Sequence, residues 1–556
     1  CPEQHIHKPG ASTTAGQTTD KCCDKTCSAY TCPEQHIHKP GASTTAGQTA
    51  DKCCDKTCSA YTCPEQHIHK PGASTTAGQT TETCCGKIQE ICSSAKTLSE
   101  LPARCLQDPS STNVRDWSLT GDLSDLSGWA SLRRLDFEEN NKITGDLSSL
   151  SGLTSLEYVD FRENKKITGD LSSLSGLKSL KHLGFRSNKK ITGDLSSLSG
   201  LTSLKHLDFY YNEKITGALS SLSGLTSLEY VDFFYNDKIT GDLSSLSGLK
   251  SLKWVSFHFS NDFSNEKITG DLSSLSGLKS LERLDFSWTH SITGDLRSLS
   301  GLKSLKYIDV EQNEKITGDL SALSGLKSLE YVAFEQNSKI TGDLSSLSGL
   351  KSLELVDFKH SEKITGDLSS LSGLKSLDKF ILTNNEKITG DLSSLSGLKV
   401  LDWVDFMYNE KITGDLSSLS GLTSLFLLNF AHNQKITGDL SSLSGLKSLY
   451  ALDFESNKKI TGDLSSLSGL KSLRRLDFEV NNKITGDLSS LSGLTSLADL
   501  DFTHNEKITG DLSSLSGLKL ETLLLPHATK VTGSKDDLPK SFAASWARVE
   551  LPKNIK

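Results

Sequence analysis

The sequence predicts an α/β repeat solenoid. Its curved parallel β-sheet would line the concave face, 3₁₀ or irregular turns the convex face, with a disulfide-rich repeat region ahead of it. Three observations predict this. A unit of 24 residues recurs between Leu119 and Val531, broken by one longer step. Each copy pairs a stretch with apolar residues two apart with a stretch of Leu three apart. All 13 Cys lie between Cys1 and Cys105, so a Cys-rich head precedes a Cys-free body. A length of 556 residues would ordinarily suggest roughly three or four globular domains. Repeats that cannot bury their own apolar face must instead stack into one continuous core.

The head comes first in the chain. CPEQHIHKPGASTTAGQTTDKCCDKTCSAYT fills residues 1–31, recurs from Cys32, and recurs again from Cys63 with drift after Thr81. Each unit is too poor in apolar residues for a core, so its Cys read as disulfide staples formed in an oxidising compartment. The spacing CC-x3-C-x4-C is not that of a zinc ribbon. The expected groups are Cys22, Cys23, Cys27, Cys32, then Cys53, Cys54, Cys58, Cys63, then Cys84, Cys85, Cys92, Cys105. The pairing inside each group stays open. Cys1 is left over, and with Met407 as the only Met the chain reads as a fragment whose start lies upstream. His5 and His7, and their copies, are read as exposed polar pairs rather than metal ligands. PGASTTAGQTT reads as a loop or stalk. These units resemble Cys-rich tandem repeats of marine protist surface proteins.

One copy of the body repeat reads LEYVDFRENKKITGDLSSLSGLTS. Val159 and Phe161, two apart, suit a short strand with one buried face. Leu171, Leu174, Leu177 and Leu180, spaced by three, fit 3₁₀ turns better than an α-helix. Asp170 stands where a side-chain cap is useful, and capping is preferred to calcium binding for it and its copies. Phe fills the second strand core position in fourteen of seventeen repeats, with Val310, Leu382 and Leu525 as exceptions, which predicts a buried spine of Phe rings. The Asn that follows, such as Asn164, is expected to bond loop backbone.

L-x-x-L-x-L-x-x-N at this period is the signature of the leucine-rich-repeat family, which residues 119–533 resemble. The I-T-G-D-L-x-x-L-x-G-L tail resembles the extracellular plant-type subclass, though it lacks the usual Ile-Pro and carries an extra residue after Asn. It is also similar to bacterial internalin-like repeats. The expected organisation is Cys-rich repeats over 1–83, an N-terminal cap over 84–118 with Trp117, about seventeen repeats over 119–533, and a C-terminal cap over 534–556 with Trp546.

Comparing the copies locates a candidate site. The SSLSGL tail scarcely changes, whereas the x positions of L-x-x-L-x-L-x-x-N vary. Those side chains alternate with the core set and face away from it. Aromatic residues gather there in the fourth to seventh repeats: Tyr210, Tyr211, Tyr230, Phe234, Tyr235, Trp254, His258, Phe259 and Trp288. The sixth repeat adds an insertion near Ser260–Ser264 that includes Phe263. A contiguous exposed aromatic patch marks an interaction site; the competing reading is ordinary filling of strand positions by β-formers. Asp recurs between the two strand core residues. Such stacked charges repel unless cations or residues such as Arg474 and Arg475 offset them.

A net charge of −8 excludes a basic nucleic-acid-binding face. No apolar run is long enough to span a membrane. No P-loop, G-x-S-x-G or H-E-x-x-H occurs, so neither catalysis nor a cofactor or metal is expected. The sequence therefore points to a secreted or cell-surface recognition or adhesion protein for a protein or glycan ligand. The alternatives are a structural component of a cell covering, or a binder of ice or mineral through the Ser and Thr ladders.

Overall fold

The computed structural model describes residues 96–100, 119–258, 267–525, 530–539, 548–552 and 555, with only short stretches of the first 95. The chain forms two compact units, residues 1–191 and 192–556. The same repeat builds both.

In the second unit each repeat begins with a strand of three residues. These pair in parallel, one repeat to the next, from His206–Asp208 to Arg548–Glu550. The register repeats as well: Tyr331 lies opposite Leu355, and Val332 opposite Val356. The chain then turns through Asn and enters a second parallel ladder made by Ile-Thr-Gly-Asp, as where Gly342 of Ile340–Asp343 lies opposite Ile364. A 3₁₀ turn such as Leu344–Leu347 closes the coil. Among the described elements the helical ones are all 3₁₀, as a Leu spacing of three requires. The C-terminal residues add the strand Arg548–Glu550 to the first ladder; Trp117 and Trp546 lie outside the described residues.

The core is the sum of the stacked coils. Every described Phe of the spine is at most 1% exposed. Successive rings stand face to face, with centroids 5.9 Å apart for Phe430 and Phe454 and again for Phe454 and Phe478. Where Leu382 interrupts the spine, Phe380 takes the preceding core position and meets Phe406 edge-on at 5.0 Å. The Asn ladder is present too. Asn409 Nδ2 donates to Leu382 O and Phe406 O, both at 2.8 Å, tying one coil to the coil before it. Ser361 does the same work through Oγ, donating to Phe334 O at 2.7 Å.

The repeated Asp is a cap. Asp343 Oδ1 accepts from Ser345 N at 2.9 Å, and its Oδ2 accepts from Thr365 Oγ1 of the next repeat at 3.4 Å. Both oxygens are engaged, which leaves little for a calcium ion. Ala218 is the exception and makes no side-chain cap. Ala218→Asp is expected to stabilise the chain by about 1 kcal/mol, read as a higher urea midpoint at unchanged slope.

In the first unit Arg134–Asp136, Tyr158–Asp160 and His182–Gly184 form a parallel ladder of the same kind. Ahead of them lie three antiparallel hairpins that the loop reading did not foresee, pairing His5–His7 with Cys23–Lys25, His36–His38 with Cys54–Lys56, and His67–His69 with Cys85–Lys87. Cys32 is bonded to Cys54, 22 residues on; Cys53 and Cys63 are also in disulfides. The bond joins Cys that the sequence-based grouping put in different sets, so the separation of Cys32 from Cys54 is corrected; Cys1 lies outside the described residues. The hairpin explains why: it folds the second half of a unit back onto its own beginning. Cys22, Cys27, Cys58, Cys84, Cys92 and Cys105 lie outside the described residues.

Candidate functional site

The variable side chains of the second unit form columns across the strand ladder, because in-register parallel strands place equivalent residues side by side. The first column runs through the strand residue before the first Val or Leu core position. His206 stacks on Tyr230 at 4.1 Å, and Tyr230 on Trp254 at 5.1 Å. The Arg283 guanidinium then lies 4.4 Å from the Trp254 ring centroid and 3.4 Å from that of Tyr307. Tyr307 stacks on Tyr331 at 4.0 Å. A cation sandwiched between two rings and paired with Asp285 at 3.0 Å is held by both quadrupole and charge. Trp254 Nε1 is buried without a hydrogen-bond partner.

A second column follows the Phe spine by one residue: Tyr210 on Phe234 at 4.4 Å, and Phe234 on His258 at 4.5 Å. A third lies one residue further on, where Tyr211 meets Tyr235 edge-on at 4.9 Å. Seven of the ten expected residues thus come together. Trp288 makes its ring contact with His290, at 6.2 Å. Phe259 and Phe263 lie outside the described residues. The patch differs from expectation in exposure: its described members are half-buried, because each ring covers its neighbour. His206, Arg283, Tyr307 and Tyr331 extend it beyond the residues named for the patch.

The third column has a particular backbone. Tyr211, Tyr235 and Trp288 sit at φ 61°, 58° and 62°, as do their equivalents down to Val480 at 59° and His504 at 64°. Left-handed backbone costs a non-glycine residue roughly 1–2 kcal/mol. None of the described repeats relieves it with Gly, although each I-T-G turn uses Gly at positive φ.

Charge on this face is concentrated in the Asp column. Asp453, Asp477 and Asp501 lie opposite one another. Arg475 reaches Asp453 at 3.4 Å and Asp477 at 3.5 Å, whereas Arg474 turns instead to Glu521 at 3.0 Å. Burial, then the Asp453 charge, pushes Asp477 up to about 7. Burial also pushes Asp357 up to about 7, and Asp232, beside Asp208, up to about 6. Glu311, Glu335 and Asp357 bring carboxylate oxygens within 4.8 Å of one another, the grouping most suited to a cation among the described residues. Lys359 already stands 3.3 Å from Glu335.

These shifts set a pH dependence. A carboxyl raised in the fold binds more protons folded than unfolded, so its stabilising effect is lost as pH climbs through its folded value of about 6 to 7. The capping Asp319, Asp367 and Asp391 are held low by Ser N–H and O–H donors, so their contribution is lost as pH falls below the usual carboxylate range. Resistance to urea is expected to peak at about pH 4–6 and to decline toward pH 8, measured as the unfolding midpoint across buffers.

Comparison with known proteins places the architecture. Residues 130–178 match the family model described as Leucine Rich repeats (2 copies). No curated protein sequence matches the chain. The HAESA receptor kinase ectodomain of Arabidopsis, solved with an N-terminally extended IDA peptide hormone, is similar in structure with TM-score 0.57 and 17% identity, over 84% of each chain. A TDR receptor gives 0.53 and 18% over 82% of each chain. A Leptospira interrogans LRR protein gives 0.50 and 19%, over 70% of this chain and 94% of that one. The chain carries leucine-rich repeats stacked as in these proteins. No described helix is long and apolar enough to cross a membrane.

Proposed function

We propose that this chain is a non-enzymatic extracellular recognition or adhesion protein that binds a protein or peptide on its strand face. The contact centres on the aromatic residues of the fourth to seventh repeats: Tyr210, Tyr211, Tyr230, Phe234, Tyr235, Trp254, His258 and Trp288, with Phe259 and Phe263 as further candidates by sequence. The observation that carries this reading is the stacking of these rings in columns, with Tyr211, Tyr235 and Trp288 held on left-handed backbone where Gly would fit at lower cost. Side chains kept at such positions indicate a use for them. Flat rings with polar tips suit peptide contacts. Solved relatives of similar fold include a receptor ectodomain bound to a peptide hormone, which supports a peptide ahead of a glycan.

The test is the combined variant Tyr235→Ala, Trp254→Ala and Trp288→Ala, probed with a random peptide-display library and a glycan array. Loss of peptide capture at an unchanged unfolding midpoint supports the reading. Capture equal to the parent chain sinks it.

A further inference from the structure

The strand-entry edge of the second unit is a ladder of alternating charge along much of its course. Lys205 and Glu229 pair at 3.0 Å, Glu229 and Lys253 at 2.7 Å, and Glu282 and Lys306 at 2.9 Å. After Glu330 in the ninth repeat the alternation stops: Glu354, Asp378 and Asp402 follow at the same position, then Phe426 and Tyr450. Phe426 is 42% exposed and Tyr450 37%, and their rings stack at 4.7 Å. Val400, 48% exposed, stands at this edge two residues before Asp402, where most repeats have Ser. Three of the four exposed large apolar side chains among the described residues therefore meet at one edge, in successive repeats.

Charge lies beside them without a matching cation. Asp378 is raised by burial and then by the charge of Asp402, against the Lys379 charge and the backbone N–H groups of Asp378 and Lys379. Asp402 Oδ1 is buried with no donor, and Trp403 Nε1 is buried with no acceptor. An acceptor without a donor, two adjacent carboxylates and an exposed ring pair are complementary to a cation next to an apolar group. Strands of successive repeats lie ~4.8 Å apart, and same-face side chains of an extended peptide ~6.8 Å apart. Asp402 and Phe426 occupy adjacent strand entries, as the pairing of Trp403 with Leu427 fixes. One extended segment thus spans both features.

We propose that this edge docks a second ligand segment: an extended peptide carrying an aromatic residue two positions from a Lys or Arg, so that both side chains share one face. The cation lies against Asp378 and Asp402, and the aromatic side chain covers Phe426 and Tyr450. The site shares no residue with the aromatic columns of the fourth to seventh repeats and stands independently of them.

The experiment uses the full chain and fluorescence anisotropy with a labelled hexapeptide, Ser-Arg-Ser-Phe-Ser-Phe, which puts Arg and Phe on one face when extended. Two control peptides replace Arg by Glu, or Phe by Ser. Saturable binding is expected for the first peptide, with both controls about tenfold weaker or more. Phe426→Ser with Tyr450→Ser, and separately Asp378→Asn with Asp402→Asn, are expected to weaken binding to a similar degree. Gly224→Ala, whose added Cβ meets nothing within 4 Å, leaves it unchanged. These side chains lie at the surface edge, and thermal melts verify that the variants fold. Absence of saturation, equal binding by the Ser control, or indifference to the four substitutions overturns the proposal. So does binding of a neutral hexasaccharide that the Phe426 and Tyr450 changes abolish, which would make the rings a glycan platform.

Discussion

Gly342→Ala is expected to destabilise the fold by at least about 3 kcal/mol. Gly342 holds φ at +119°, and a Cβ there would stand 2.6 Å from Leu320 N and 3.0 Å from Leu320 Cβ in the preceding coil. Neither atom is the free end of a flexible chain, so relief requires parting two stacked coils. The cost joins backbone strain to the loss of a repeat interface, the term on which a stacked array depends. Gly224→Ala is the control: its Cβ would meet nothing within 4 Å, and a change within about 0.5 kcal/mol is expected. Urea titration of both variants reads the difference.

Phe454→Ala is expected to cost about 3–5 kcal/mol. The ring is fully buried and stacked between Phe430 and Phe478, each 5.9 Å away. Removing it opens a cavity that the aligned coils on either side cannot collapse to fill. Phe454→Leu adopts the residue native at Leu382 and is expected to cost about 1.5 kcal/mol. It costs something because Leu452 stands where Phe380 compensates for Leu382. Thermal unfolding of the two variants checks the order.

How far the sequence disclosed this structure depends on the kind of signal. The strands around Val159 and Phe161, the 3₁₀ turns, the Asp caps and the Asn ladder were legible because each rests on spacing, and spacing repeated many times over. The second parallel ladder was not. Ile and Thr before Gly were not assigned to a strand, although two β-branched residues in a row were a strand signal. The left-handed backbone at Tyr235 and Val480 could not be read from residues that disfavour it; only the coil geometry imposes it. Seven of the aromatic-patch residues named from sequence do stack together, yet they are half-buried rather than exposed. Residues at equivalent strand positions stack and cover one another, as Tyr230 and Trp254 do. Arg283 was invisible as a member because it joins the column by charge and ring face, not by type. The more exposed pair, Phe426 and Tyr450, went unnoticed because two residues make no cluster until the broken charge ladder around them is seen. The phase of the Cys-rich repeat was ambiguous in principle: any window of one period contains the same residues, and only the hairpin decides which Cys meet.

The most direct test of the central claim is at Tyr235, where conformational cost and proposed use oppose each other. A peptide selected by display on the full chain is titrated calorimetrically into the parent and into Tyr235→Gly. Glycine relieves roughly 1–2 kcal/mol of backbone strain while removing two ring contacts, so the unfolding midpoint should stay nearly level. The predicted result is an affinity lower by about tenfold or more at that level stability. An affinity equal to the parent's would mean that the side chains on this strand face are not held there to bind.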